Sequence, residues 1–137
     1  MANSQERRPA FAILCAGASS RLGQPKALCP LPGGKPVLRL LAAAEGVANP
    51  GAGPGATEVV VITGCHHREI EAELKNTGKA TLGLIAENRS WARGRTSSIQ
   101  LAVRTFPGRD LMIMPVDHPR ITASILDAMI QAWWKAD

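Results

Sequence analysis

The hydrophobic positions of the chain form four nearly unbroken apolar runs, and each run precedes a segment with helical spacing. The runs are FAILCA, EVVVITG, TLGLIAE and DLMIMPVD, beginning at residues 11, 58, 81 and 110. Short apolar runs bounded by turn residues are typical of strands that are buried on both faces. The alternation therefore predicts an α/β protein with three layers (α/β/α), a mainly parallel sheet and about four β-α units.

The segments with helical spacing cover residues 36–48, 66–78, 96–106 and 122–137. Pro36 suits a first helical turn, and Gly78 is typical of the position after a helix end. The stripes predicted for the last two helices are Ile99, Ala102, Val103 and Phe106, and then Ile125, Met129, Ile130, Trp133 and Trp134. Residues 49–57 are rich in Gly and Pro, which predicts a long loop.

Composition adds a domain count and a compartment. A chain of 137 residues with 45% hydrophobic and 20% charged residues predicts one globular domain, here residues 9–137, after a disordered stretch 1–8. The three cysteines show no C-x-x-C spacing, and no apolar stretch has transmembrane length. We expect a soluble cytoplasmic protein without a membrane partner.

The net charge of +5 comes from scattered basic residues, which suit an anionic small molecule. With no Tyr and two Phe, the chain has few platforms for stacking bases, so nucleic acid is not an expected partner. Ligands of parallel sheets bind beyond the carboxyl ends of the strands. Three predicted strands end there in polar or glycine-rich segments, which read CAGASSR, ENRSWARG and PVDHP.

The first of these segments opens a glycine-rich loop, LCAGASSRLGQPK, at residues 14–26. It is not a Walker loop, because Gly17 and Gly23 are too far apart and Gln24 replaces the lysine. It fits the dinucleotide fingerprint poorly, because Ser19 occupies the second glycine position. Arg21 still offers a fork of donors to phosphate oxygens. A tight turn with solvated cations is the alternative.

The loop resembles the signature L-A-A-G or L-A-G-G, then x-S-x-R-x-G-x-P-K, of the MobA-like nucleotidyltransferases. This family includes the molybdenum-cofactor guanylyl- and cytidylyltransferases, and Cys15 departs from its usual form. The resemblance implies a Rossmann-like fold of the nucleotide-diphospho-sugar transferase type. It also implies that Arg21 and Lys26 are catalytic, with Arg21 on the outer phosphates and Lys26 near the α-phosphate.

The second segment of the resemblance is PVDHP, since a strand of the family ends in D-x-P and supplies a carboxylate for Mg²⁺. Asp117 is the residue expected to be catalytic and to bind the metal. An Asp that caps the turn before Pro119 is the alternative.

The third segment, ENRSWARGRTSSIQLAV, resembles the family's N-P-x-W-x-x-G-M-x-S-S-L. Ser97 is explained equally well as a helix N-cap, and Arg93 and Arg95 are either acceptor-binding or solvated. The nucleotide contacts implied by all segments are Leu14, Ala16, Gly17, Ala18, Ser19, Arg21, Lys26, Asn88, Ser97 and Ser98.

Two other features have simpler explanations. His66 and His67 invite a metal site, but adjacent helical residues point in different directions, which favours an ordinary helix start. Cys15 and Cys29 lack a pairing His in the sequence nearby and are interpreted as small buried hydrophobic residues.

The resemblance implies a nucleotidyltransferase that moves an NMP group from CTP or GTP to a phosphorylated acceptor such as molybdopterin, with Mg²⁺, releasing pyrophosphate. Family members continue well past the D-x-P strand, whereas this sequence has one more helix after Asp117. We therefore expect the nucleotide half of the site without the acceptor half, and a second copy or a partner subunit over the C-terminal side. The alternative is a truncated or non-catalytic nucleotide-binding module that needs a partner.

Overall fold

Four strands alternate with four helices along the chain. The computed structural model describes residues 9–18, 23–48, 58–78 and 84–136, and all their side chains except those of residues 48 and 84. The strands are β1 (Ala10–Cys15), β2 (Val59–Thr63), β3 (Leu84–Glu87) and β4 (Leu111–Pro115). The helices are α1 (Pro36–Ala48), α2 (His67–Asn76), α3 (Arg95–Thr105) and α4 (Ala123–Lys135). Every predicted strand and helix is confirmed, while the predicted loop 49–57 and the predicted disorder of residues 1–8 lie outside the described residues.

The strands form one parallel sheet in the order β3-β2-β1-β4. The chain runs outward from β1 to β3 and then crosses to the other side of β1 to form β4. Neighbouring crossovers that leave β1 in opposite directions open a crevice at the carboxyl ends of β1 and β4. The predicted α/β fold, Rossmann-like with a parallel sheet, is confirmed, and its topology places a ligand crevice at one defined point.

Helices cover both faces of the sheet, which gives the predicted three layers. The larger core lies under α1, α2 and α4, and the smaller core lies under α3. All six residues of β1 are buried, because this strand is central and covered on both faces. Helix α1 contributes its predicted face to the larger core through Val37, Leu40, Leu41 and Ala44.

The stripe predicted for α4 is partly wrong. Ile125 and Met129 are 46% and 47% exposed, whereas Leu126 and Ile130 are buried in the larger core. Residues one position apart on a helix differ by about 100° in direction, so two apolar stripes run side by side on α4. Packing against the sheet and α1 selects the stripe that contains Leu126. In α3, the predicted Val103 likewise faces outward, 52% exposed.

The helix ends follow the predicted signals. Pro36 is the first residue of α1, where its missing N–H costs no hydrogen bond. Gly78 follows the C-cap Thr77 of α2 with a φ of 73°, a conformation that glycine adopts without strain. Among the described residues, none of the helices combines the length and the apolar character that crossing a membrane requires.

At the amino edge of the sheet, one ion pair ties the segments that enter β2 and β4. The Arg109 guanidinium donates to both carboxylate oxygens of Glu58, at 2.5 and 2.7 Å. This hydrogen bonding raises the pKa of Arg109 above its usual range. The pair lies at the opposite edge from the crevice, so it stabilises the sheet at a distance from the site.

Candidate functional site

A cleft of about 270 Å³ opens at the crevice that the topology defines. Its walls come from five segments: the loop after β1, the 3₁₀ turn Lys26–Leu28, the start of α2, the segment that leads into α3, and the end of β4. The β1 and β4 carboxyl ends are adjacent, since Leu14 pairs with Pro115 and accepts a hydrogen bond from the Val116 N–H at 3.2 Å. Two of the three segments suspected from the sequence therefore meet directly, and the third joins them through α3.

The glycine-rich loop forms one wall of the cleft. Leu14, Ala16 and Gly17 line it, and Ala18 follows directly. A Cβ added at Gly17 would meet no described atom within 4 Å, so the space over this backbone is open to a ligand. The predicted nucleotide contacts Ser19 and Arg21 lie outside the described residues.

Three charged side chains cluster at the cleft. The Lys26 Nζ lies 3.3 Å from Asp117 Oδ1, and the Arg95 Nη2 lies 3.8 Å from Asp117 Oδ2. The side chains of Lys26, Asp117 and Arg95 are 47%, 44% and 62% exposed, so these ion pairs are screened by solvent. Within the described part of the chain, the contacts of the Asp117 carboxylate are with these cations and not with a turn N–H, which favours the site interpretation over the capping one.

The donor set of the cleft can be compared with what Mg²⁺ requires. Mg²⁺ binds oxygen ligands and commonly uses one or two carboxylates together with substrate phosphates. Of the described residues that line the cleft, Asp117 is the one that carries a carboxylate. No group of three or more His, Cys, Asp or Glu suited to a metal occurs among the described residues, His66 and His67 included. The site therefore fits a metal that arrives with phosphate oxygens, held by Asp117.

Asn88 organises the segment between β3 and α3. Its side chain is buried and donates to the hydroxyls of Ser97 and Ser98, both at 2.9 Å, while its Oδ1 accepts the Ser90 N–H at 2.9 Å. Ser98 lines the cleft, whereas Asn88 and Ser97 lie behind the wall. Direct nucleotide contact by these three residues stays a prediction, and the structure adds that Asn88 holds Ser98 in place.

The N-cap interpretation of Ser97 is wrong. Helix α3 begins at Arg95, with Gly94 as its N-cap residue. The Ser97 hydroxyl donates to the carbonyl of Gly94 at 2.7 Å and to that of Ser90 at 3.1 Å. Its role in the described structure is to brace the turn that precedes α3. Of the two arginines, Arg95 lines the cleft.

The start of α2 contributes a wall that sequence reasoning missed. The helix begins at His67, as an ordinary helix start, but His66 just before it lines the cleft. The His66 Nε2 lies 2.8 Å from the carbonyl oxygen of Ala18 in the glycine-rich loop. Trp91 lines the same cleft. The available signal was position, because His66 follows the carboxyl end of β2, which neighbours β1.

Cys15 lies in the cleft wall but is chemically quiet. Burial raises the pKa of its thiol to about 12, which keeps it protonated near neutral pH. It is confirmed as a small buried side chain. Cys29 is half-buried and Cys65 is exposed.

The parallel sheet, the glycine-rich loop and the charged cleft at the switch point define an α/β protein of the Rossmann-like class with a site for an anionic ligand. Residues 11–137 match the model of the MobA-like NTP transferase domain, and the chain belongs to that family. Among curated proteins, no sequence matches this chain significantly.

Two solved structures share the fold. Rv0371c from Mycobacterium tuberculosis H37Rv aligns with a TM-score of 0.64 and 24% identity, over 88% of this chain and 58% of its own. A nucleotidyl transferase from Methanothermobacter thermautotroptrophicus aligns with a TM-score of 0.66 and 20% identity, over 88% of this chain and 56% of its own. This chain thus spans little more than half the length of either protein.

Proposed function

We propose that the cleft binds a nucleoside triphosphate, CTP or GTP, and that the protein transfers its NMP group to a phosphorylated acceptor such as molybdopterin. The observation that carries the proposal is the pairing of Lys26 with Asp117 beside the glycine-rich loop. A cation, a carboxylate and open loop backbone are the three elements that a metal-bound triphosphate needs. Such triphosphates and acceptors are cytoplasmic, which is where we place the protein.

The reaction is an in-line displacement. An ionised phosphate oxygen of the acceptor attacks the α-phosphorus, the bond to the bridging oxygen breaks, and pyrophosphate leaves with the bonding electrons. No side chain has to remove a proton, so catalysis consists of positioning and charge neutralisation. We assign Lys26 to the α-phosphate region and Arg21 to the outer phosphates. Mg²⁺, held by Asp117 and phosphate oxygens, supplies further neutralisation when bound.

The loop backbone and Ser98 have supporting roles in the proposal. The open surface over Gly17 lets main-chain N–H groups approach phosphate oxygens. Ser98, oriented by Asn88, presents its hydroxyl from the opposite wall. Arg95 adds a cation beside Asp117, suited to an anionic acceptor.

A second candidate is a nucleotide-binding module that depends on a partner. It is favoured by the single carboxylate on the described part of the cleft wall, since one carboxylate holds Mg²⁺ weakly without help. The two candidates share the nucleotide site and differ in turnover.

One experiment separates them. The purified chain is titrated with each NTP in the presence of Mg²⁺ and then incubated with molybdopterin, with pyrophosphate release as the readout. We expect CTP or GTP to bind and to yield pyrophosphate, and Arg21→Ala to abolish binding because the outer phosphates lose their bidentate partner. Binding without turnover supports the module, and the absence of any nucleotide binding contradicts both candidates.

A second copy or a partner subunit over the C-terminal side stays a prediction. The exposed Ile125 and Met129, one turn apart on α4, give it an apolar surface. Light scattering after size exclusion is expected to show a dimer that Met129→Lys converts to a monomer. A monomer at all concentrations contradicts the self-association arm.

A further inference from the structure

We propose that His66 is a positioning residue that fixes the glycine-rich loop for phosphate binding. The inference rests on the proposed function and deepens it. It assigns to the start of α2 a role in the nucleotide site, where sequence reasoning saw only a helix start.

The contact itself is short and directional. The His66 Nε2 lies 2.8 Å from the Ala18 carbonyl oxygen. A carbonyl oxygen only accepts hydrogen bonds, so Nε2 carries the proton and donates it. The His66 side chain is 22% exposed, which limits competition by water. Because a peptide unit is planar, holding its carbonyl fixes the orientation of the whole unit, and with it the backbone that faces the ligand.

A second contact runs beside the first. The Cys65 N–H donates to the Ala16 carbonyl at 3.2 Å, so consecutive residues before α2 hold alternate carbonyls of the loop. Gly64 permits this approach, because a Cβ there would lie 2.7 Å from the Ala16 carbonyl oxygen. Of these contacts, the one made by His66 is the only one that uses a side chain, and a substitution can remove it without altering the backbone.

The neighbouring histidine provides a matched control. The His67 Nδ1 lies 2.6 Å from the Thr63 hydroxyl, and its Nε2 lies 3.5 and 3.8 Å from carboxylate oxygens of Glu71 and Glu87. His67 does not line the cleft. Its removal changes a contact of the same size on the side of α2 that faces β3, away from the glycine-rich loop.

The test compares His66→Ala, His66→Gln and His67→Ala in the full chain, with Mg-CTP and Mg-GTP as probes in calorimetry. Hydrogen exchange of the peptide 14–26 gives a second readout that needs no nucleotide. We expect His66→Ala to raise the Kd about tenfold, the value of one well-placed hydrogen bond, and to speed exchange in that peptide. The Gln variant keeps an N–H donor at a similar reach and restores both, while His67→Ala alters thermal stability alone.

The outcomes separate this inference from the proposed function. Wild-type Kd and wild-type exchange in His66→Ala overturn the positioning role, as does an unchanged Kd with faster exchange. If the wild-type chain binds neither nucleotide, the proposed function fails and the role in phosphate binding fails with it, and exchange then reports only whether His66 orders the loop. A Gln variant as weak as the Ala variant, with a wild-type melting temperature, also contradicts the assigned hydrogen bond.

Discussion

Asp117→Asn is expected to lower the rate of pyrophosphate release by on the order of 10²–10³-fold, the usual cost of losing one electrostatic element of a preorganised site. The substitution preserves the size of the side chain and removes its charge. It weakens the oxygen ligand proposed for Mg²⁺ and leaves Lys26 and Arg95 without their carboxylate partner. The measurement is pyrophosphate release at saturating nucleotide, repeated over a range of Mg²⁺ concentrations.

Asp110→Asn is the matched control for that experiment. Asp110 is exposed and precedes β4, at the opposite edge of the sheet from the cleft. The same chemical change at this position should leave turnover unaltered. An Asp117→Asn variant whose turnover stays within twofold of the wild type would show that the carboxylate has no part in the reaction.

Gly64→Ala is expected to destabilise the fold by roughly 1–3 kcal/mol, the range found for overpacking. Its Cβ would lie 2.7 Å from both the Ala16 carbonyl oxygen and the Trp91 Cβ, and 2.9 Å from the Ala16 Cβ. None of these atoms is the end of a flexible side chain, so the backbone of the loop or of the Trp91 turn must move. Because both segments are cleft walls, nucleotide affinity should fall together with stability. Urea unfolding and calorimetry measure the two effects.

Gly17→Ala gives the contrasting result. A Cβ at Gly17 meets nothing within 4 Å in the described structure, and its φ is not in the left-handed region. Stability should change little there, while nucleotide binding weakens because the added methyl group occupies the ligand's space. Equal urea midpoints for Gly64→Ala and the wild type would contradict the steric argument.

Much of the fold was predictable because the strands are unbroken apolar runs with polar or glycine-rich ends. The same patterns placed the loop at residue 14 and Asp117 at one edge of the sheet, since parallel strands share their carboxyl edge. The stripe of α4 was not predictable, because Ile125 and Leu126 begin two parallel apolar stripes and only packing selects one. His66 was missed for a related reason: its partner is a main-chain carbonyl, which leaves no trace in the sequence.

The charges around Asp117 bear on how the empty cleft meets its ligand. Two cations and one carboxylate lie within 4 Å of one another in pairs, so part of the positive charge is already used inside the protein. An arriving triphosphate competes with Asp117 for Lys26 and Arg95. The chain thus contains its own weak, tethered competitor, and whatever occupies that carboxylate releases both cations to the phosphates.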